Sequence, residues 1–211
     1  MTVAKRRGGK PLKRETGTLP ELTTIVVFCE GKRSEPDYVA ALRRLPEVRW
    51  NTSLQIEIVP QPGVPLTLVQ RAVKRARDPE VNQCWCLFDV EWPQNHPHLA
   101  EAMRTAAQRE GVHVAVSNPC FELWLILHHQ DQTAGLTTAE AVAASEALDG
   151  RRGKRLDGSV YMEPMRRKQA IAYAKRLHAI HQSSGTRFPH DNPGSGMYLF
   201  LEAIGACPPE D

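Results

Sequence analysis

The chain lacks any apolar run long enough to span a bilayer. It also lacks the basic, apolar and small-residue signal that would direct it out of the cell. Both gaps predict a cytoplasmic protein with no membrane partner. Cysteine is scarce and odd in number, with five residues, Cys29, Cys84, Cys86, Cys120 and Cys207. Four of them sit inside apolar runs, which favours buried reduced thiols over a disulfide framework. Cys84 and Cys86 are spaced C-x-C and no second pair answers them, so the pattern of a zinc site is missing. There is no internal repeat and no long linker. With 211 residues, 41% hydrophobic and 24% charged, the chain fits one domain with a sizeable core.

Acid is absent from residues 1–14, which carry Lys5, Arg6, Arg7, Lys10, Lys13 and Arg14. Of 27 Lys and Arg these are six, so the remaining 21 basic side chains face 24 acidic ones and the body is mildly acidic. The composition predicts a disordered basic arm over 1–20, a single domain over 21–204 and a short tail over 205–211. Such an arm either adds phosphate contacts to a nucleic acid or serves only as a solubilising leader.

What is present is a set of apolar runs that end in acid. Ile25-Val26-Val27-Phe28-Cys29, preceded by Thr24, reads as a strand buried on both faces and stops at Glu30-Gly31. A parallel strand delivers chemistry at its C-terminal end, although Glu30 alone is equally the first solvated residue of a loop. Cys84 to Phe88 repeats the pattern and ends in Asp89-Val90-Glu91, where a spacing of two puts both acids on one side of an extended chain. Strands are also predicted over 54–59 and 112–117. Helices are predicted over about 35–45, 66–76, 98–110, 137–148, 165–181 and 197–204. The alternation argues for a mostly parallel sheet flanked by helices, with a helical C-terminal portion.

In Ser117-Asn118-Pro119-Cys120-Phe121-Glu122-Leu123-Trp124-Leu125-Ile126-Leu127-His128-His129, Asn118 suits a cap for a helix starting at Pro119. Glu122 lies one turn inside that apolar helix, where a carboxylate is expensive unless paired. His128 and His129 also read as that helix's polar end. Helix 165–181 has Ile171, Leu177 and Ile180 as its apolar stripe and Arg166, Arg167, Lys168, Lys175 and Arg176 as its basic side.

Glu30, Asp89 and Glu91 become neighbours if their strands pair. Clustered carboxylates repel and raise one another's pKa unless a cation lies between them. An all-oxygen set suits Mg²⁺ or Mn²⁺, which retain waters and meet substrate phosphates.

Three segments carry a family resemblance: Phe28-Cys29-Glu30-Gly31-Lys32-Arg33-Ser34-Glu35-Pro36-Asp37-Tyr38, Phe88-Asp89-Val90-Glu91, and the Ser117–His129 run. With the late Asn192-Pro193-Gly194-Ser195 turn, they resemble the RloB-like family over about residues 24–204. That family is linked to restriction-modification and abortive-infection loci, and it resembles the Toprim fold. The resemblance implies a metal site at Glu30, Asp89 and Glu91, with Mg²⁺ or Mn²⁺ as cofactor. The chain departs in having Glu91 as the second acid of the D-x-D position, Arg33 and Ser34 for the usual lysine and threonine, and Val39 after Tyr38. None of these removes an acid.

Toprim proteins include nucleases, topoisomerases and primases, and this length has no room for topoisomerase gates or a full primase. The expected function is therefore a Mg²⁺-dependent nuclease on RNA or DNA in phage defence. Glu30 would be ligand or general base, and Asp89 and Glu91 ligands. Glu122 would be a further ligand or hold Lys32 or Lys175, and His128 would act as proton shuttle or supporting partner. Lys32, Arg33, Lys168 and Lys175 would meet phosphate. The alternative is a non-catalytic module that binds nucleic acid or a partner; a weaker one is a ligase or nucleotide-processing enzyme. A homodimer or other defence-system proteins complete the expected partners.

Overall fold

The computed structural model describes residues 22–51, 53–153 and 155–209. The basic arm expected over 1–20 lies outside the described residues. The sheet is built around β1 (Thr23–Cys29), buried from Thr24 onward. Parallel β2 (Leu54–Val59) flanks it on one side and parallel β3 (Gln83–Asp89) on the other. Next come parallel β4 (Val112–Asn118) and a short antiparallel β5 (Gly194–Ser195), giving the order β2-β1-β3-β4-β5.

Alternation along β1 explains the layers, because successive side chains leave opposite faces. Val26 and Phe28 join Cys86 and Phe88 of β3 under α3 (Pro65–Arg75) and α4 (Leu99–Ala107). Ile25, Val27 and Cys29 join Leu87 on the other face. There they meet α1 (Ser34–Leu42), α5 (Phe121–Leu127), α7 (Pro164–Ser184) and α8 (Met197–Ala203). A strand with apolar residues at every position must be covered twice, so the five-stranded, mostly parallel sheet has helices on both faces. The remaining helices are α2 (Pro46–Arg49), α6 (Thr138–Asp149) and a 3₁₀ turn, Gly158–Tyr161.

Several local expectations need correction. The helix expected to run to residue 45 stops at Leu42, and Leu45 is extended at ψ 137°, as Pro46 requires of the residue before it. Asn118 caps nothing: it ends β4, and its amide donates to Pro189 O at 2.9 Å and Asp191 Oδ1 at 3.0 Å. The helix expected from 137 begins at Thr138, and Thr137 caps it in a reciprocal capping box with Glu140. Ile180 is 43% exposed and leaves the apolar stripe of α7. Arg167 is not on the basic side, for its guanidinium is buried against Glu47 (2.7 Å) and the Ala206 carbonyl (2.6 Å). The five cysteines are free, and four of them are buried. Among the described residues no helix is long and apolar enough to cross a membrane.

Candidate functional site

The register of the two central strands assembles the site. Cys29 stands opposite Leu87, so Glu30 leaves β1 beside Asp89, the last residue of β3. The Glu30 N–H donates to Leu87 O at 3.0 Å, and the Asp89 N–H donates to Glu30 Oε2 at 2.9 Å. Asp89 is in turn paired with Ser117 of β4, which leads into α5 and brings Glu122 to the same edge. Glu30, Asp89, Glu91 and Glu122 thus line one pocket of about 150 Å³, at the carboxyl ends of parallel strands. Lys32 and Arg33 line it too.

Glu91 reaches the pocket by a different route from the one its spacing suggests. The strand ends at Asp89, and Glu91 sits in the left-handed region at φ 63°. That conformation costs a side-chain-bearing residue about 1–2 kcal/mol. Backbone bonds fix the turn: Glu91 N–H donates to Pro119 O at 2.8 Å, and Thr138 N–H donates to Trp92 O at 2.9 Å.

A fifth acid, Glu35, also lines the pocket, although its place in the sequence marks it only as a charge at a helix start. It is 5% exposed and accepts from the Gly31 N–H at 2.9 Å. A Cβ on Gly31 would overlap the Glu35 carboxylate and push that side-chain end aside. The Gly-x-x-x-Glu spacing is a visible signal for this contact. Arg151 is a second missed residue. Its side chain lines the pocket, lies 3.8 Å from Glu122, and donates to Ser145 Oγ at 2.8 Å and to Asp149. The buried Glu122 signals a need for a cation, but nothing in the turn-like 150–158 stretch singles out Arg151. The partner of Glu122 is therefore Arg151, not Lys32 or Lys175. His96, also unforeseen, places Nε2 against the Glu30 carboxylate.

The electrostatics follow from crowding. Burial raises the Asp89 pKa well above the usual carboxylate range, and the charges of Glu35, Glu30, Glu122 and Glu91 raise it further. Burial also raises Glu30, against the opposing pull of the Asp89 N–H and His96. Glu35 is raised by burial and by Glu122 and Glu30, although backbone N–H groups partly offset this. Six carboxyl groups, Glu146 included, line the pocket against three basic side chains, Lys32, Arg33 and Arg151.

The other expected residues lie elsewhere. His128 does not line the pocket. It is 1% exposed, with Tyr38 OH 3.1 Å from Nε2 and Trp124 O 2.8 Å from Nδ1. Burial pushes its pKa down to about 3. It is a satisfied core histidine with no path to a substrate. Lys175 pairs with Glu202 at 2.6 Å and lies over the Tyr198 ring; neither it nor Lys168 lines the pocket.

The donor chemistry fits a hard divalent cation: oxygen ligands, like charges close together and raised pKa values. The rotamers do not complete a shell, for among the described residues no three acidic, His or Cys side chains are gathered as a metal centre. Glu30 is engaged by the Asp89 N–H and His96, and Glu35 by the Gly31 N–H. Holding a metal would require Glu30 to turn from those partners.

A doubly covered, mostly parallel sheet with an acid-lined pocket at its carboxyl edge defines an α/β protein with a polar site at the strand ends. The chain belongs to the RloB-like family, whose model, described as RloB-like protein, matches residues 25–204. No curated protein and no solved structure matches it.

Proposed function

We propose that the chain is a Toprim-like, Mg²⁺- or Mn²⁺-dependent phosphodiesterase that cleaves nucleic acid, RNA in preference to DNA, in bacterial anti-phage defence by abortive infection. The observation that carries this reading is the convergence of Glu30, Asp89, Glu91 and Glu122, from three separate segments, on one pocket. Membership of the RloB-like family supports the defence role.

In this reading Glu30, Asp89 and Glu91 hold the cation, and a bound cation would polarise the phosphodiester and favour ionisation of a water. Glu30 also accepts a proton when it is not a ligand. Glu122 faces Arg151 at 3.8 Å and keeps that guanidinium at the pocket wall. Lys32 and Arg33, both exposed at the rim, take the substrate phosphates. Cleavage of RNA, tRNA and DNA with Mg²⁺ or Mn²⁺ tests the proposal. Glu30→Gln and Asp89→Asn are each expected to lower cleavage at least a hundredfold, and wild-type rates in both would refute it.

A second reading is favoured by the engagement of Glu30 with His96 and the incomplete shell: a module that binds nucleic acid or a partner without cleaving. Calorimetric Mg²⁺ titration separates the two. Binding of RNA without binding of metal selects the module.

A further inference from the structure

Two more cavities are linked to the acid pocket through neighbouring residues, the third cavity in this line lying against β4 and β5. The acid pocket is walled by Glu91 and Thr138, and the next cavity by the residues adjoining them, Trp92 and Thr137. That second cavity ends at His190 and Asn192; Asp191, between them in the chain, lines the third together with Phe188 and β4 residues. The third cavity measures about 230 Å³. That is smaller than the ~300 Å³ at which pockets for drug-sized ligands begin, so it suits a group the size of one base.

Rings recur along this line. Trp92 is half-exposed and stands edge-on to exposed His190, with centroids 6.0 Å apart. Phe188, Tyr198, His178 and His181 line the third cavity. Among the described residues no Lys or Arg lines either of these two cavities. The basic side chains lining these cavities, Lys32, Arg33 and Arg151, are at the acid-pocket end. Lys175 approaches the third cavity only through the Tyr198 ring, and what the rest of the line mainly offers is π-surface. Bases present their faces to side chains only when unpaired. In a duplex the faces are hidden in the stack, and a line of rings with few cations along it has little to hold.

We propose that the chain binds an unpaired stretch of nucleic acid along this line, with bases stacked on Trp92 and His190 and one base seated in the Phe188 cavity. The inference names the substrate class of the site proposed above and rests on that reading. Its test is nevertheless separate, because it uses binding without metal.

Equilibrium binding of fluorescein-labelled single-stranded and duplex RNA of equal length is measured in EDTA across a salt series. Wild-type protein is expected to prefer the single strand at least tenfold. Trp92→Ala should weaken single-strand binding about tenfold or more, the loss typical of one stacking platform. The slope of affinity against salt should not change, because no phosphate contact is removed. Trp92→Phe should retain most of the affinity, and Trp50→Ala, a 76% exposed tryptophan by the β2 edge, should retain all of it. Far-ultraviolet circular dichroism checks that each variant folds. Equal affinity for duplex, no binding of either, or a Trp92→Ala affinity within twofold of wild type would overturn the proposal. Loss of cleavage in Glu30→Gln with unchanged binding bears only on the catalytic reading.

Discussion

Replacing Asp89 by Asn should stabilise the metal-free protein. Asp89 is half-buried, and four other carboxylates raise its pKa beyond what burial does. A carboxyl group whose folded pKa lies above its unfolded value contributes fully below the unfolded value, and that contribution is lost as pH rises to the folded value. At neutral pH its ionisation therefore opposes folding. Single substitutions that relieve unfavourable charge commonly stabilise by about 0.5–2 kcal/mol, which for a chain of this length is a rise in Tm of about 1–8 °C. Asn keeps the shape, and among the described residues the Asp89 carboxylate makes no side-chain hydrogen bond that Asn would lose. Thermal unfolding in EDTA at pH 7 reads the effect. Added Mn²⁺ should raise the Tm of wild type and leave Asp89→Asn where it is. An Asp89→Asn protein that melts below wild type in EDTA would refute the crowding argument.

Three other outcomes follow from the same geometry. Glu91→Gly should gain about 1 kcal/mol in unfolding experiments through relief of a positive φ, while losing cleavage; a loss of stability would show that the Glu91 side chain offsets its own strain. Gly31→Ala should displace the Glu35 carboxylate from the Gly31 N–H and cost about 1 kcal/mol, read from denaturant midpoints. Burial holds His128 neutral with a pKa near 3 against an ordinary 6.5, so the stability this adds is complete above 6.5 and is lost as pH falls toward 3. His128→Gln should therefore flatten the acid side of the stability curve by up to about 1.4 kcal/mol per pH unit across that window. An unchanged slope would mean that His128 is protonated in the fold.

The acid-ended strands were legible because a strand covered on both faces must be apolar throughout, so the first carboxylate marks its exit. Glu30 and Asp89 stood out for that reason, and their adjacency needed only the pairing of β1 with β3. Glu91 was found for a partly mistaken reason, since the extended spacing that singled it out ends one residue after Asp89. Glu35 was overlooked because acids at helix starts are ordinary, and its burial depends on the bare Gly31 beside it. Arg151 and His96 come from turns, where no periodicity ties a side chain to a face. Arg167 and Ile180 were misplaced because helical spacing gives a face but not which neighbours cover it. Arg167 is buried by Glu47 and the Ala206 carbonyl, contacts that exist only in the folded chain. His128 reads as the polar end of a helix or a proton carrier, whereas Tyr38 and Trp124 supply both of its partners in the core.

Cleavage as proposed requires the acids at the carboxyl edge to close around a divalent cation. Calorimetric titration of Mn²⁺ into wild type, Glu30→Gln and Asp89→Asn tests this most directly. Saturable binding to wild type is expected, abolished or weakened at least tenfold in both variants. Absence of binding to wild type, or equal binding to all three, would contradict it.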